Sequence, residues 1–179
     1  MAPHGGRIEP GAGRLAAAIA GNRFSLYCFR GRLESGNRRL HLPSHLFDEP
    51  RALAALERAE VVVAVHGHQN AETAFVMVGG LDGERRRRIA VELARAGFPV
   101  RPPSAGLAGE HPANICNRGR SGKGVQMEVS AALRRHLRRD PDGMARLVRA
   151  VRRGLLLDGS DGEVRPPSAP SGLPVRRSP

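Results

Sequence analysis

Three groups of residues in this 179-residue chain combine types and spacings that can do chemistry. His4 and Glu9 lie in the glycine-rich string HGGRIEPGAG, which can turn both side chains to one side. His66 and His68 follow the apolar run VVVAV. Two imidazoles and one carboxylate form a donor set that holds catalytic zinc and leaves a fourth position for water. Spacing alone leaves a second reading open, that of surface or hydrogen-bonded histidines, because a chain with seven histidines yields some such triple by chance.

The third group runs from Asn114 to Glu128. In GVQMEVS, strand alternation puts Gln126, Glu128 and Ser130 on one face and Val125, Met127 and Val129 on the other. A glutamate in a buried strand is costly unless it is paired. Glu128 is therefore either a carboxylate aimed into a site as general base or a solvated residue on an edge strand. NICNRG places Asn117 and Arg118 where they could read an anion, Arg118 through a two-pronged contact with a carboxylate. The alternative for that string is a surface turn.

The elements that must hold these groups follow from local signals. HGGRIEPGAG is turn-rich, and Pro10 suits the first turn of a helix through LAAAIAG, stopped at Gly21. FSLYCFR reads as a strand, RLHLP as a short one limited by Pro43, and EPRALAALERA as a helix capped by Asp48. EVVVAV, Glu60 to Val65, reads as a strand covered on both faces, with HGHQN the loop after it. A strand over Thr73 to Val78, a helix capped by Asp82 and a short strand over Phe98 to Val100 come next. GVQMEVS follows a glycine-rich turn, Ser130 caps an arginine-studded helix, and a last helix spans about Asp142 to Leu156. Alternating strands and helices give an α/β class, an open mixed β-sheet flanked by helices on both faces, with sites at strand ends.

Composition narrows the partners. The formal charge is +12, and among 29 basic residues only Lys123 is a lysine. A pI near 11.5 favours polyanionic partners, although the same arginine, glycine and proline content is that of a GC-rich genome. With one Tyr, five Phe and no Trp, the chain lacks the aromatic platform on which single-stranded nucleic acid stacks. No apolar run approaches the roughly 20 residues of a membrane span, and MAPHGGRIEP holds no apolar leader, so a cytoplasmic location is expected. Cys28 and Cys116 form no CxxC pair, which excludes a cysteine-built zinc site and a disulfide scaffold and fits a reducing compartment.

Seven strings, HGGRIEPGAGRLAAAIAG, FSLYCFRG, LHLPSHLFDEP, VVVAVHGH, VGGLDG, LAGEHPANICNRG and GVQMEVSAALRR, follow one another from about Pro3 to Arg139. In this order the chain resembles the poly-γ-glutamate hydrolase family of phages and bacteria. The resemblance implies a zinc-carboxypeptidase-like fold. It also implies a zinc-dependent hydrolase that cleaves γ-glutamyl amide bonds of poly-γ-glutamate or related peptides. Carried over by motif, His4, Glu9 and His66 would be the metal ligands and Glu128 the general base. Arg118 would contact the oxyanion or a substrate carboxylate, with Asn117 in the same region. His68, two residues from His66, is an alternative ligand, and His41 and His45 take structural or supporting roles. The expected partner is a polyanionic γ-glutamyl polymer or peptide. No membrane or nucleic-acid partner is expected, and a monomer is favoured. Two other readings stand beside this one: an amidase of the same fold acting on another substrate, and a non-enzymatic basic nucleic-acid-binding protein.

One departure bears on the site. In the family a strand precedes the HGG motif, whereas here only Met1, Ala2 and Pro3 precede His4, and Pro3 has no N–H for a ladder. Either the true start lies upstream or an inner strand is lacking, in which case His4 sits on a frayed terminus. The catalytic unit is expected over 1–158 and a disordered Pro/Ser/Arg-rich tail over 159–179.

Overall fold

The computed structural model describes residues 1–156, and the tail expected over 159–179 lies outside them. Strands β1 (Ala2–Gly6), β2 (Cys28–Gly31), β3 (Val63–His68), β4 (Val76–Gly79), β5 (Val100–Arg101) and β6 (Val125–Ser130) alternate with helices. The helices are α1 (Ala12–Ala20), α2 (Pro50–Leu56), α3 (Gly83–Arg95), α4 (Ala131–Arg139) and α5 (Pro141–Leu155). Four strands form a mixed sheet in the order β3-β6-β4-β5, parallel at β3–β6 and β4–β5 and antiparallel at β6–β4. β1 and β2 pair in parallel beside it. Met1 joins the two: its amine donates to Val63 O at 2.6 Å, and its carbonyl accepts from Val65 N at 2.9 Å.

Both faces of the sheet are covered. One core packs Leu15 and Ile19 of α1, Ile89 and Leu93 of α3, and Leu147 and Val151 of α5 against Val125, Met127 and Val129 of β6. Each fully buried Leu or Ile there stabilises the fold by roughly 1.5–3 kcal/mol. On the opposite face Phe47, Ala52, Leu56 and Ile115 pack against Val62 and Ala64. The alternation read from GVQMEVS is the one observed, with the valines and Met127 in the first core. β6 is flanked by β3 and β4 and buried along all six residues, so Glu128 is not on a solvated edge strand.

Several expected elements differ. The HGG segment is itself a strand: Ala2–Gly6 lies between β2 and the amine-linked β3, and His4 is 1% exposed, not on a frayed terminus. Glycine content hid it. Gly5 and Gly6 look like turn residues, but a Cβ on Gly5 would lie 2.5 Å from Cys28 Sγ, so close strand approach is what requires the missing side chain. RLHLP is not a strand. Asn37–Leu40 is a 3-10 turn, followed by an irregular strap to Phe47. Glu49, rather than Asp48, caps α2 by accepting from Ala52 N. β3 starts later than Glu60 and runs through His68, so the histidines lie on the strand and not in a loop after it. Asp82 and Ser130 cap α3 and α4 as their positions suggest. Among the described residues no helix is long and apolar enough to cross a membrane.

Candidate metal centre

His4, Glu9 and His66 come together. β1 delivers His4. Gly6 then turns the chain at φ +68°, and the turn closes with Glu9 N donating to His4 O at 3.0 Å. This brings Glu9 Oε1 to 3.1 Å from His4 Nδ1. His66, on β3, places its Nδ1 3.2 Å from His4 Nδ1 and 3.8 Å from Glu9 Oε2. All three side chains are buried.

The protons on these rings can be worked out from their partners. His4 Nε2 lies 2.7 Å from Leu42 O, and a carbonyl oxygen can only accept, so Nε2 carries the hydrogen. In neutral His4 the Nδ1 lone pair then points at a carboxylate oxygen and at His66 Nδ1. Burial, first, holds His66 down to a pKa of about 3, only partly offset by the Glu9 charge, so its ring is neutral at ordinary pH. Burial also works against ionised Glu9. The contacts with His4 and His66 and the 2.7 Å bond from Gly67 N outweigh it, and the Glu9 pKa lies below the usual carboxylate range. The His4 Nδ1 lone pair and the ionised Glu9 carboxylate thus converge beside the neutral His66 ring, an arrangement that a cation would satisfy. Nitrogen and carboxylate donors at such mutual distances suit zinc in their chemistry.

His41 also reaches this cluster. Its Nε2 is 3.1 Å from Glu9 Oε1, and its ring stacks on His4 with centroids 3.9 Å apart. His4, Glu9 and His41 form a compact donor group, but the His41 side chain is 42% exposed whereas that of His66 is 3% exposed. His66 is therefore the enclosed ring of the cluster and His41 the outer one. Spacing gave no signal for His41. The string LHLPSHLFDEP carried it only as a supporting residue. His68 is turned to other partners: its Nδ1 accepts from Asn70 N at 3.1 Å, and its ring packs edge-on against Phe75.

Glu128 sits beside the cluster. It is the register partner of His66 on the neighbouring parallel strand, so both side chains leave the sheet on the same face. Burial, then the nearby Glu9 charge, raise its pKa to about 8, against the opposing influence of Arg134 and a hydrogen bond from Gln126. Gln126 Nε2 donates to Glu128 Oε1 at 3.1 Å, while Asn114 Nδ2 donates to Gln126 Oε1 at 2.9 Å. This relay orients the carboxyl group. Gln126 was legible as a residue on the Glu128 face, but its link to Asn114, twelve positions away, was not.

The two anion-reading candidates separate. Asn117 is buried and its amide is occupied by loop backbone: Nδ2 donates to Gly109 O and His111 O, and Oδ1 accepts from Leu81 N and Gly124 N. It braces the loop. Arg118 is exposed and donates through Nη1 to Phe47 O at 3.0 Å, next to the Phe47 ring that packs edge-on against His4. The strap 41–47 thus closes over the centre, with Ser44 Oγ 3.4 Å from His66 Nε2. An apolar cavity of about 360 Å³ lined by Ile19, Phe24, Leu26, Leu56 and Val63 contains none of these donors, so cavity size does not locate the chemistry.

Comparison with known proteins shows the family and the fold. The family model for poly-gamma-glutamate hydrolase matches residues 1–148. The UPF0714 protein YmaC of Bacillus subtilis (strain 168) is 40% identical over 132 residues, which cover 73% of this chain and 55% of that protein. The chain thus spans about half the length of the curated relatives it matches. A solved bacteriophage poly-gamma-glutamate hydrolase superposes with a TM-score of 0.81 at 34% identity, covering 86% of this chain and 80% of that one. A zinc-free apo structure of YndL superposes at 0.79 and 32% identity, covering 86% and 81%.

Proposed function

Since the chain belongs to the poly-gamma-glutamate hydrolase family, we propose that its buried donor cluster holds zinc and that it hydrolyses γ-glutamyl amide bonds of poly-γ-glutamate or related peptides. The observation that carries the proposal is the convergence of His4 Nδ1, His66 Nδ1 and the Glu9 carboxylate within 3.1–3.8 Å of one another, with Glu128 on the next strand. His4, Glu9 and His66 would hold the ion, with His41 able to approach from the exposed side. Bound zinc supplies a Lewis acid that polarises the scissile carbonyl and makes water acidic enough to lose a proton near neutral pH.

The chain's own groups do the rest. In the metal-free site burial and the Glu9 charge raise the Glu128 pKa to about 8, and a cation bound beside it would favour the ionised form that accepts a proton. Glu128 takes a proton from the attacking water as its oxygen bonds to the amide carbon. It returns that proton to the leaving nitrogen as the C–N bond breaks, giving a carboxylate and an amine. Gln126 holds Glu128 in line through the 3.1 Å hydrogen bond. The Arg118 guanidinium keeps donors beyond the one given to Phe47 O and binds a substrate carboxylate or the developing negative charge. The basic surface gathers a polyanionic chain. The unit responsible is residues 1–158.

The deciding experiment measures zinc content and hydrolysis on a panel of γ- and α-linked glutamyl peptides, with Glu128→Gln as control. Zinc near one per chain, with γ-selective cleavage lost in the variant, is the expected result. Cleavage confined to a different amide class would point to an amidase of the same fold. Protein that takes up no zinc and hydrolyses nothing would end the proposal.

A further inference from the structure

We infer that Arg134, on α4, is the positioning residue that holds the three donor-bearing segments of the site in register, an inference that rests on the metal reading above. Its guanidinium donates through Nε to Pro10 O at 2.8 Å, and through Nη1 to His68 O at 3.2 Å and to Val129 O. Each of those carbonyls belongs to a segment that carries a reactive side chain. Pro10 follows Glu9, Val129 follows Glu128, and His68 is two residues beyond His66. One planar group therefore ties together the ends of β3, β6 and the turn after β1.

The fold makes room for this group by leaving out side chains. A Cβ on Gly67 would lie 2.6 Å from the Arg134 Cζ, so the glycine of the HGH string lets the guanidinium rest against the strand backbone beside His66. Gly11, at φ +96°, would bring a Cβ within 3.2 Å of the Arg134 Cβ. Two glycines in two site motifs thus cradle one arginine that neither motif contains. Its positive charge also lies near the carboxyl groups of Glu9 and Glu128, which repel one another. A lysine in its place brings a point charge without the fork that spans several carbonyls. Arg134 does not touch the reacting atoms. It acts through the backbone that aims Glu9, His66 and Glu128, and ligand placement looser by about 1 Å is enough to spoil such a site.

The test uses the full chain with Arg134→Met and Arg134→Lys. Three readouts are needed: zinc affinity by chelator competition, kcat and KM on a γ-linked glutamyl peptide, and amide hydrogen exchange. The exchange probe is the Gly67 N–H, which donates to Glu9, with Leu93 on α3 as the remote reference. Arg134→Met is expected to weaken zinc at least tenfold and lower kcat at least tenfold, with KM within threefold. Gly67 exchange should speed up at least tenfold while Leu93 is unchanged. Arg134→Lys should recover only a minor part of each loss. Zinc affinity and kcat within twofold of the parent in Arg134→Met would overturn the inference, as would parallel acceleration at Gly67 and Leu93. If the parent binds no zinc and cleaves nothing, the metal reading fails, but Gly67 exchange still decides the clamp: selective acceleration supports it and an unchanged rate overturns it. Should Arg134→Met not fold, Arg134→Lys carries the comparison, and parent-like behaviour there overturns the inference.

Discussion

His66 and Glu128 are register partners on adjacent parallel strands, and the pair sets an imidazole and a carboxyl group side by side on one face of the sheet. In the metal-free protein His66 is kept neutral by burial, while burial and the Glu9 charge raise the Glu128 pKa to about 8. The same desolvation therefore prepares one group to give a lone pair and the other to exchange a proton. A change at Glu128 should then separate chemistry from metal binding. Glu128→Gln should lower kcat by at least 100-fold while zinc affinity stays within about threefold, read by steady-state kinetics and chelator competition.

The donors should differ in weight. His4→Ala and His66→Ala remove buried atoms at the centre and should abolish stoichiometric zinc binding. His41→Ala removes a ring that is 42% exposed and should weaken zinc by less than about tenfold. Metal analysis after dialysis against a weak chelator checks this. Equal losses in all three variants would promote His41 to a fixed ligand.

Zinc removal should destabilise the parent. A ligand bound to the folded state alone adds RT ln(1 + [L]/Kd), about 2.7 kcal/mol at 100 times Kd. Stripping the ion should lower Tm by several degrees, and His66→Ala should show no difference between stripped and zinc-supplied samples. Differential scanning calorimetry gives both values.

In the metal-free protein, pH should act on stability through Glu128 with a definite sign. Its pKa rises from 4.5 unfolded to about 8 folded, so between those values the folded state holds the extra proton and this group's contribution falls as pH rises. His66 and the Met1 amine, with folded values lowered to about 3 and about 6, titrate in the opposite sense. The parent profile is consequently flattened, and the difference between Glu128→Gln and parent is the informative quantity. That difference should shift in favour of the variant from pH 4.5 to 8, by at most about 1.4 kcal/mol per pH unit. Urea unfolding across this range measures it, and a difference independent of pH would refute it.

Asn117 should behave as a brace. Asn117→Ala leaves Leu81 N and Gly124 N, with the carbonyls of Gly109 and His111, without their side-chain partner. A loss of about 2–4 kcal/mol in unfolding free energy is expected, with zinc affinity within threefold of the parent. An intact Tm with weakened substrate binding would restore the role that its place in NICNR first suggested.

Much of this was legible along the chain because it is local. Period-two alternation identifies both faces of β6, and the caps at Asp82 and Ser130 mark their helices. The order of short motifs singles out His4, Glu9 and His66 as candidate ligands, and these three side chains meet. Other features escaped because they depend on distant segments. Gly5 and Gly6 read as a turn until β2 lies against them, and the segment 39–43 reads as a strand although its backbone serves the site, through Leu42 O, and not a ladder. Asn117 looks like a reader of anions until four loop groups are seen to occupy it.

What the sequence determined by itself is which side chains share a face and which donors are available, since strand and helix periodicity needs only neighbouring residues. Only the tertiary structure decided which of those donors meet, that His41 joins them, and that Arg134 fastens their strands. Those contacts join residues up to 124 positions apart, and they form only when the sheet and α4 have packed.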